Sequence, residues 1–465
     1  MKRLLVCVAA SSLVIVTAAA QTAPRKVSAV VAGGTVVTVD GRRNIYNPGA
    51  VAIDGNTIVG VGPAADIALR FVGADRIDAT GAVVIPGLIN AHTHAPMVLY
   101  RGLADDLRLQ DWLEKYIFPA EAKTVSREMV RTGTRLAALE MIQSGTTAFA
   151  DMYYFEEEIA RTTKAASLRG ILGQTVIQFP VPDAKVPQEG LARAETFIKE
   201  FLKDDLIVPA VAPHAAYSVD AGTLRASRTL ATKYGVPVLI HVAETEEEVK
   251  NSRTAHAGLS PVAYLQSIDF LGPKTVANHG VWVDQADIQI LKNRNVAVSH
   301  NPESNMKLAS GIAPVPEYLA AGVTVALGTD GAASNNDLDM FEAMRFAALL
   351  HKVKTRDPQA VPAPVALEMA TIGGARALGL EDRIGSIESG KRADLVIVSM
   401  QSARQTPLYD PVSHLVYATR GDDVRTVLVN GRVLMRDRKV LTLDETQVLA
   451  EARKMAESVR AAVGR

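Results

Sequence analysis

Eight short apolar segments alternate with helical patterns between residues 86 and 383, and this alternation constrains the fold more than any other feature of the chain. Short runs rich in Val, Ile, Leu and Ala are typical of buried strands, and the stretches between them have helical spacing. Strands that alternate with helices pair in parallel, and eight such units close into a barrel. The sequence therefore predicts an α/β chain with a (β/α)8 TIM barrel over residues 86–383. The predicted strands are VVIPGLINAH, TTAFADMY, ILGQTVIQF, IVPAVAPH, PVLIHVAE, TVANHGVWV, VAVSHNP and TVALGTD.

Both ends of the chain have a different rhythm, with short β-patterned runs separated by turns. Residues 25–85 and 384–445 are rich in Val, Ile and Thr and contain the hairpin dipeptides Asp54-Gly55 and Asn430-Gly431. We predict that the two regions form one small β-sandwich domain. Residues 446–465 are predicted to form a C-terminal helix.

The first twenty residues are typical of an export signal and not of a folded domain. Lys2 and Arg3 precede an uncharged run, residues 4–20, that ends in small residues, as in a secretory signal peptide. We predict that residues 1–20 are removed and that the protein is exported, most simply to the periplasm. An uncleaved N-terminal anchor is the alternative. No later segment is apolar enough to span a membrane, so none is expected in the mature chain.

The composition excludes several classes of protein. Apolar residues make up 48% and charged residues 22% of the chain, which are ordinary values for a globular protein. Lys and Arg together number 50, as do Asp and Glu, so no basic surface for nucleic acid is indicated. The single cysteine, Cys7, excludes a disulfide framework, a cysteine zinc cluster and an iron–sulfur site. A homo-oligomer is compatible with this composition.

Most of the nine histidines lie where a predicted strand ends. The catalytic face of a (β/α)8 barrel is built from the carboxyl ends of its strands, so these side chains are expected to converge. Packing alone does not explain such a pattern. Three other histidines, at 256, 351 and 414, lie away from strand ends and are expected at the surface or as helix caps. The strand-end residues are His92, His94, His214, His241, His279 and His300, with Asp330 at the end of the eighth strand.

His92 and His94 are two residues apart, so both imidazoles point to the same side of their strand. His241 and Asp330 can complete a set of three nitrogens and one oxygen, which suits zinc and leaves a position open for water. Taken alone, His-x-His is equally typical of two hydrogen-bonded polar side chains. The other strand-end residues favour a catalytic metal centre.

Glu244 follows His241 by three residues, a spacing that places the two on opposite faces of a continuous strand. Both reach one site only if the strand ends and the chain turns near Ala243. We interpret Glu244 as functional, with a solvated loop acid as the alternative. The acids that follow it, residues 246–248, are interpreted as the charged start of a helix.

Several of these segments resemble the amidohydrolase superfamily, and in particular its branch of S-adenosylhomocysteine/methylthioadenosine deaminases and triazine chlorohydrolases. The resemblance covers nearly all of the mature chain. It implies a barrel joined to a β-sandwich, and a hydrolytic reaction with one divalent metal per chain. No lysine ends the fourth strand, where relatives with two metals carry one, and His214 stands there instead. The segments are PGLINAHTH, RGLADDLRLQDWLEKYIFPAEA, HVAET, NHGVWV, SHNPESNMKLASG, LGTDGAASNN and GSIESGKRADLVIV.

The resemblance also implies a role for individual residues. The metal is expected on His92, His94, His241 and Asp330, with zinc favoured and iron as the alternative. Proton transfer is expected from Glu244, His279 and Asp330. The expected substrate contacts are Glu121, His214, Glu244, Trp112 and His300.

Together with the strand-end residues, the resemblance implies a metal-dependent hydrolase that deaminates an aminated heterocycle, an adenine nucleoside above all. A bound metal lowers the pKa of water toward ~7 and supplies hydroxide for attack on the ring carbon that carries the amine. The nearest alternative is an s-triazine chlorohydrolase or N-alkylaminohydrolase, with the same chemistry and another leaving group. A non-catalytic barrel used for binding is a remote alternative. A flavin or nicotinamide enzyme is not indicated, because no GxGxxG follows a strand.

Overall fold

The computed structural model describes residues 23–464. The predicted signal segment, residues 1–20, therefore lies outside the described residues. Among the residues that are described, no helix is both long enough and apolar enough to cross a membrane.

The chain enters the fold through a β-rich region that lies beside the barrel. Its first, fourth, fifth and sixth strands form a four-stranded sheet in the order β5-β4-β1-β6. The remaining three strands belong to a second sheet. The seven strands are β1 (Arg25–Ala32), β2 (Thr35–Val37), β3 (Ile45–Tyr46), β4 (Gly49–Asp54), β5 (Thr57–Pro63), β6 (Phe71–Asp78) and β7 (Ala82–Pro86).

Eight parallel strands form the barrel, and each pairs with the next strand in the chain. Its first and last strands also meet, because the Asp330 N–H donates to the His92 carbonyl at 3.0 Å. Seven of the eight are buried along their whole length, as expected for strands covered on both faces. The strands are β8 (Leu88–Thr93), β9 (Thr146–Tyr153), β10 (Arg169–Val176), β11 (Ile207–Pro213), β12 (Val238–Val242), β13 (Thr275–His279), β14 (Ala297–His300) and β15 (Val325–Leu327).

After the barrel the chain returns to the β-rich region and completes its second sheet. Strand order there is β19-β18-β17-β16-β7-β2-β3, so both chain ends contribute to one seven-stranded sheet. Buried side chains of this sheet and the four-stranded sheet share one apolar cluster. The predicted barrel with a β-domain built from both chain ends is confirmed. The returning strands are β16 (Leu395–Ser399), β17 (Val424–Val429), β18 (Arg432–Arg436) and β19 (Lys439–Val440).

The first predicted strand, VVIPGLINAH, is in fact two strands in different sheets. Residues 82–86 belong to the β-domain, whereas residues 88–93 open the barrel. Gly87 separates them, and a Cβ there would come within 1.9 Å of the Thr147 hydroxyl oxygen. Only a residue without a side chain lets the chain cross so close to β9.

The helices cover the barrel and its mouth. A π-helical turn, Leu113–Ile117, joins the second and third helices into one helical segment over residues 109–124. The last helix packs on the third and fourth. The helices are α1 (Ala64–Arg70), α2 (Leu109–Trp112), α3 (Phe118–Thr124), α4 (Arg127–Ser144), α5 (Glu156–Ala166), α6 (Pro187–Phe201), α7 (Ala221–Tyr234), α8 (Glu246–Ala255), α9 (Pro261–Ser267), α10 (Gln285–Asn293), α11 (Pro302–Lys307), α12 (Val315–Ala321), α13 (Met340–Thr355), α14 (Ala363–Met369), α15 (Ile372–Ala377), α16 (Pro411–Tyr417) and α17 (Glu445–Val463).

Candidate active site

A cleft opens at the carboxyl ends of the barrel strands. Polar groups from the strand ends lie on one side of it, and the helical segment 109–124 forms an apolar wall on the other. Such a concave, partly apolar site with convergent polar groups is typical of a small-molecule pocket. The lining residues are His94, Met97, Leu109, Trp112, Leu113, Ile117, Phe118, Glu121, Met152, Tyr153, Tyr154, Thr175, His214, Tyr217, His241, Glu244, His279 and Asp330.

Three histidines and one aspartate converge at the floor of the cleft. The Nε2 atoms of His92 and His94 each lie 3.3 Å from Oδ1 of Asp330. The His241 ring completes the group, with its centroid 5.0 Å from that of His92 and 5.4 Å from that of His94. The structure thus brings together all four residues of the predicted metal centre, from β8, β12 and the end of β15.

Backbone carbonyls orient two of these rings. The Nδ1 of His94 lies 2.7 Å from the Met152 carbonyl oxygen, and the Nδ1 of His241 lies 2.8 Å from the His214 carbonyl oxygen. A carbonyl only accepts, so in each neutral ring Nδ1 carries the proton and Nε2 has a free lone pair. Histidines that bind metals are held in this way by groups behind them.

The donor atoms at the cleft floor fit a divalent cation. Nε2 of His92 is buried and lacks a hydrogen-bond partner, an arrangement that costs free energy unless something fills it. Ligand atoms of His92, His94 and Asp330 lie within 4.8 Å of one another, as do those of His92, His241 and His279. A set of imidazole nitrogens and one carboxylate oxygen is a metal site of the catalytic type.

Asp330 is fixed from the side opposite the histidines. Its Oδ2 accepts hydrogen bonds from the hydroxyls of Ser304, at 2.7 Å, and Ser334, at 2.8 Å. Its backbone has a left-handed φ of 63°, a conformation that non-glycine residues adopt rarely and that often marks a functional site. The two serines leave Oδ1 free to face the histidines.

Glu244 reaches the same floor because the chain turns sharply after β12. The strand ends at Val242, and Ala243 has a left-handed φ of 51°. The carboxylate of Glu244 then lies 3.7 Å from Nε2 of His279 and 3.4 Å from the Ser310 hydroxyl. Burial raises the pKa of Glu244 above its ordinary value, which favours a role as a proton donor at neutral pH.

Glu248 holds that turn in place. Its carboxylate accepts the N–H of Ala243 at 2.9 Å and the N–H of Glu244 at 2.7 Å. The side chain is buried, which raises its pKa to about 7. The prediction that residues 246–248 are only a solvated helix start is therefore wrong for Glu248, although Glu246 and Glu247 are exposed.

The connection after β14, which contains α11, supports three of the polar groups in the cleft. Asn305 accepts from Nδ1 of His279 at 2.9 Å, so Nε2 of that ring faces Glu244 as an acceptor. Ser304, also in α11, contacts Asp330, and Ser310 in the loop that follows contacts Glu244. Sequence reasoning missed these three supports, although all lie in the quoted segment SHNPESNMKLASG.

Glu121 lies on the helical side of the cleft. Its side chain is 6% exposed, and burial raises its pKa to about 7, opposed by the nearby hydroxyls of Tyr153 and Tyr154. Trp112 is buried nearer the start of the same helical segment, and both side chains line the cleft. Sequence reasoning also missed the two tyrosines, whose position at the end of β9 was the available indication.

Comparison with known proteins identifies the family of this chain. A sequence model of the amidohydrolase family matches residues 83–434, which span the barrel and most of the second sheet. The chain belongs to the amidohydrolase family. Membership confirms the predicted hydrolase acting on carbon–nitrogen bonds, and together with the histidine-rich floor it supports a divalent metal.

Three similar proteins cover nearly the whole chain. A 5-methylthioadenosine/S-adenosylhomocysteine deaminase from Syntrophobacter fumaroxidans is 48% identical, over 92% of this chain and 97% of its own. A 5'-deoxyadenosine deaminase from Methanosarcina barkeri is 45% identical, over 92% of this chain and 98% of its own. The crystal structure of an adenosine deaminase from Xanthomonas campestris with bound zinc superimposes with a TM-score of 0.92 at 39% identity, covering 94% of this chain and all of that one.

His214 lies at the rim of the metal centre of this amidohydrolase. Its ring centroid is 4.9 Å from that of His241 and 5.8 Å from that of Tyr217, and the Ser218 hydroxyl contacts its Nδ1 at 2.8 Å. The ring lines the cleft and is partly exposed there. A substrate in the cleft would meet it directly.

His300 does not reach the cleft, in contrast to its predicted role in substrate binding. Its ring is fully buried and its Nε2 lies 3.2 Å from Nε2 of His351 on α13. Successive side chains of a strand point to opposite faces, and His300 points to the helix layer outside the barrel. His351 was expected at the surface or as a helix cap, and this expectation is wrong, because the residue lies inside α13 and its ring is buried against His300.

Proposed function

We propose that this amidohydrolase releases ammonia from adenine nucleosides by hydrolysis, with one zinc ion per chain. The observation that carries the proposal is the position of Glu244, a buried acid facing the metal centre across His279. The names of the relatives at 45% and 48% identity support an adenine nucleoside as substrate. Bound zinc in the Xanthomonas structure and the nitrogen and oxygen donors of this centre support zinc.

Hydrolytic deamination requires an activated water and a more electrophilic ring carbon. The metal, when bound, supplies acidified water at neutral pH. Glu244 donates a proton to the ring nitrogen beside the carbon that carries the amine. Oδ1 of Asp330 accepts a proton from the attacking water, and Nε2 of His279 orients the oxygen that adds to the carbon. The proton on Asp330 then passes to the amino nitrogen, the carbon–nitrogen bond breaks, ammonia leaves, and the ring retains the oxygen.

Glu121 and His214 are proposed to hold the ribose. A carboxylate only accepts hydrogen bonds, so it suits the diol of a ribose, which offers two donors. Glu121 lies in the cleft wall and His214 at the strand-end side. A nucleoside whose base occupies the floor would place its sugar between them.

Replacing Glu121 with Ala is expected to lower kcat/KM for adenosine about 10- to 100-fold and to leave adenine nearly unaffected. The reason is that a lost hydrogen bond to a charged group costs roughly 1.5–3 kcal/mol. The measurement is ammonia release from adenosine, adenine and an aminated s-triazine by the wild-type and variant holoenzymes. An equal loss on all three substrates contradicts the ribose contact. Ammonia release from the triazine alone would contradict a nucleoside substrate, and release of chloride or an alkylamine from a chlorinated or N-alkylated s-triazine would establish the chlorohydrolase or alkylaminohydrolase alternative.

We also propose that the protein is exported and that residues 1–20 are removed. The support is the basic start, the uncharged run and the small residues before Gln21. N-terminal sequencing of the protein made in a Gram-negative host is expected to begin near Gln21, in the periplasmic fraction. An intact Met1 on active protein from the cytosolic fraction would contradict export.

A further inference from the structure

We propose that this enzyme prefers adenine nucleosides whose 5' substituent is uncharged and apolar, and that it discriminates against the amino-acid tail of S-adenosylhomocysteine. This inference rests on the proposed function and narrows its substrate. It concerns the part of the cleft that lies beyond the base and the ribose.

One face of the helical segment 109–124 lines the cleft from end to end. The lining positions have helical spacing, and all of them except the last are apolar. The last is Glu121, which is buried. The apolar members are Leu109, Trp112, Leu113, Ile117 and Phe118.

The orientation of a bound nucleoside follows from the polar groups. The carbon that carries the amine has to lie at the metal centre beside Glu244, and the ribose diol faces Glu121. The 5' carbon then points along the remaining part of the helical face, which is apolar. Phe118 borders that region and contacts Phe179 in the loop after β10, with ring centroids 5.5 Å apart.

The side chains lining this cleft do not provide a positive partner for a carboxylate tail. Its acidic groups are Glu121, Glu244 and Asp330, and no lysine or arginine is among the described lining residues. Arg108 adjoins the lining residue Leu109, but its own side chain is exposed and does not line the cleft. A methyl or methylthio group gains contact with the apolar wall, whereas an amino-acid tail has to lose water without pairing its charges.

The test compares three nucleosides on the zinc-loaded wild-type enzyme: 5'-methylthioadenosine, 5'-butylthioadenosine and S-adenosylhomocysteine. The butylthio compound matches the length of the homocysteine tail and lacks its charges. We expect similar kcat/KM for the two neutral thioethers, and a value about 10- to 100-fold lower for S-adenosylhomocysteine. Equal turnover of S-adenosylhomocysteine and methylthioadenosine would overturn the inference. An equally large drop in kcat/KM for the butylthio compound would also overturn the inference, since the length of the 5' substituent and not its charge would then set the preference.

A pair of variants at Leu113 separates charge from shape, and a single variant at Arg108 tests the nearest arginine. Leu113 lines the cleft and is partly exposed, so Leu113→Arg is expected to improve S-adenosylhomocysteine relative to methylthioadenosine at least about 5-fold, whereas Leu113→Gln is not. A ratio that Leu113→Arg leaves unchanged contradicts the charge argument. Arg108→Ala is expected to leave the wild-type ratio unchanged, and a further loss on S-adenosylhomocysteine would show that Arg108 does bind the tail. If none of the three nucleosides releases ammonia, the proposed function itself fails, which is a different result from equal turnover.

Discussion

Glu244→Gln is expected to retain the metal and to lower kcat about 10²- to 10⁴-fold, the usual contribution of a positioned general acid. Gln keeps the shape of the side chain and its contact with the Ser310 hydroxyl but cannot deliver a proton. Because the residue is buried and its pKa is raised, the wild-type carboxyl is better suited to hold a proton near neutral pH than an exposed glutamate.

The control for this variant is Glu247→Gln. It removes an exposed acid from the first turn of α8, just after Glu244, and should leave kcat unchanged. Metal content and kcat are measured on both proteins. An acid has to be protonated to act, so wild-type activity should fall as pH rises through the raised pKa of Glu244, and this limb should vanish in Glu244→Gln. Loss of metal from Glu244→Gln would identify Glu244 as a ligand, and an unchanged rate would exclude it as the acid.

His241→Ala is expected to lower the metal content from about one ion per chain to nearly none and to abolish measurable turnover. Its Nε2 faces the centre because the His214 carbonyl fixes Nδ1 on the other side of the ring, and metal affinity depends on the complete ligand set. Elemental analysis of the purified protein gives the stoichiometry. Two tightly bound ions in the native chain would contradict the single-metal centre.

A second readout separates metal loss from misfolding in this variant. An ion that binds only the folded state stabilises it, so a chelator should lower the Tm of the wild-type protein and leave the Tm of His241→Ala unchanged. His414→Ala is the matched control, because that histidine lies on α16 and does not line the cleft. It should keep both the metal and the response to the chelator.

The strand-end histidines could be found from the sequence because the barrel brings the ends of distant strands together. His92, His94, His241 and Asp330 are widely separated in the chain, yet each follows an apolar run that forms a barrel strand. Their convergence needs only the topology, and the topology follows from the alternation of strand and helix. The same argument placed His279 and His214 at the mouth.

Local backbone direction was not available from the pattern of residues. The sequence stated the condition under which Glu244 reaches the floor, but the left-handed turn at Ala243 and its buried support by Glu248 are tertiary features. The sequence likewise did not show whether the His300 side chain points into the barrel or outward. Strand β14 ends at His300, so no later residue of the strand reveals which face its side chain takes.

The amino-acid sequence by itself determined the barrel, the β-domain built from both chain ends, and the convergence of the strand-end histidines with Asp330, because these follow from hydrophobic periodicity and strand order. Only the tertiary structure decided which groups support that centre and what faces it. Ser304 and Asn305 lie in α11 and Ser310 in the loop after it. The apolar face ending at Glu121 comes from a helical segment between strands β8 and β9. Such contacts depend on how loops fold over the barrel mouth, and loop packing has no period from which it can be derived.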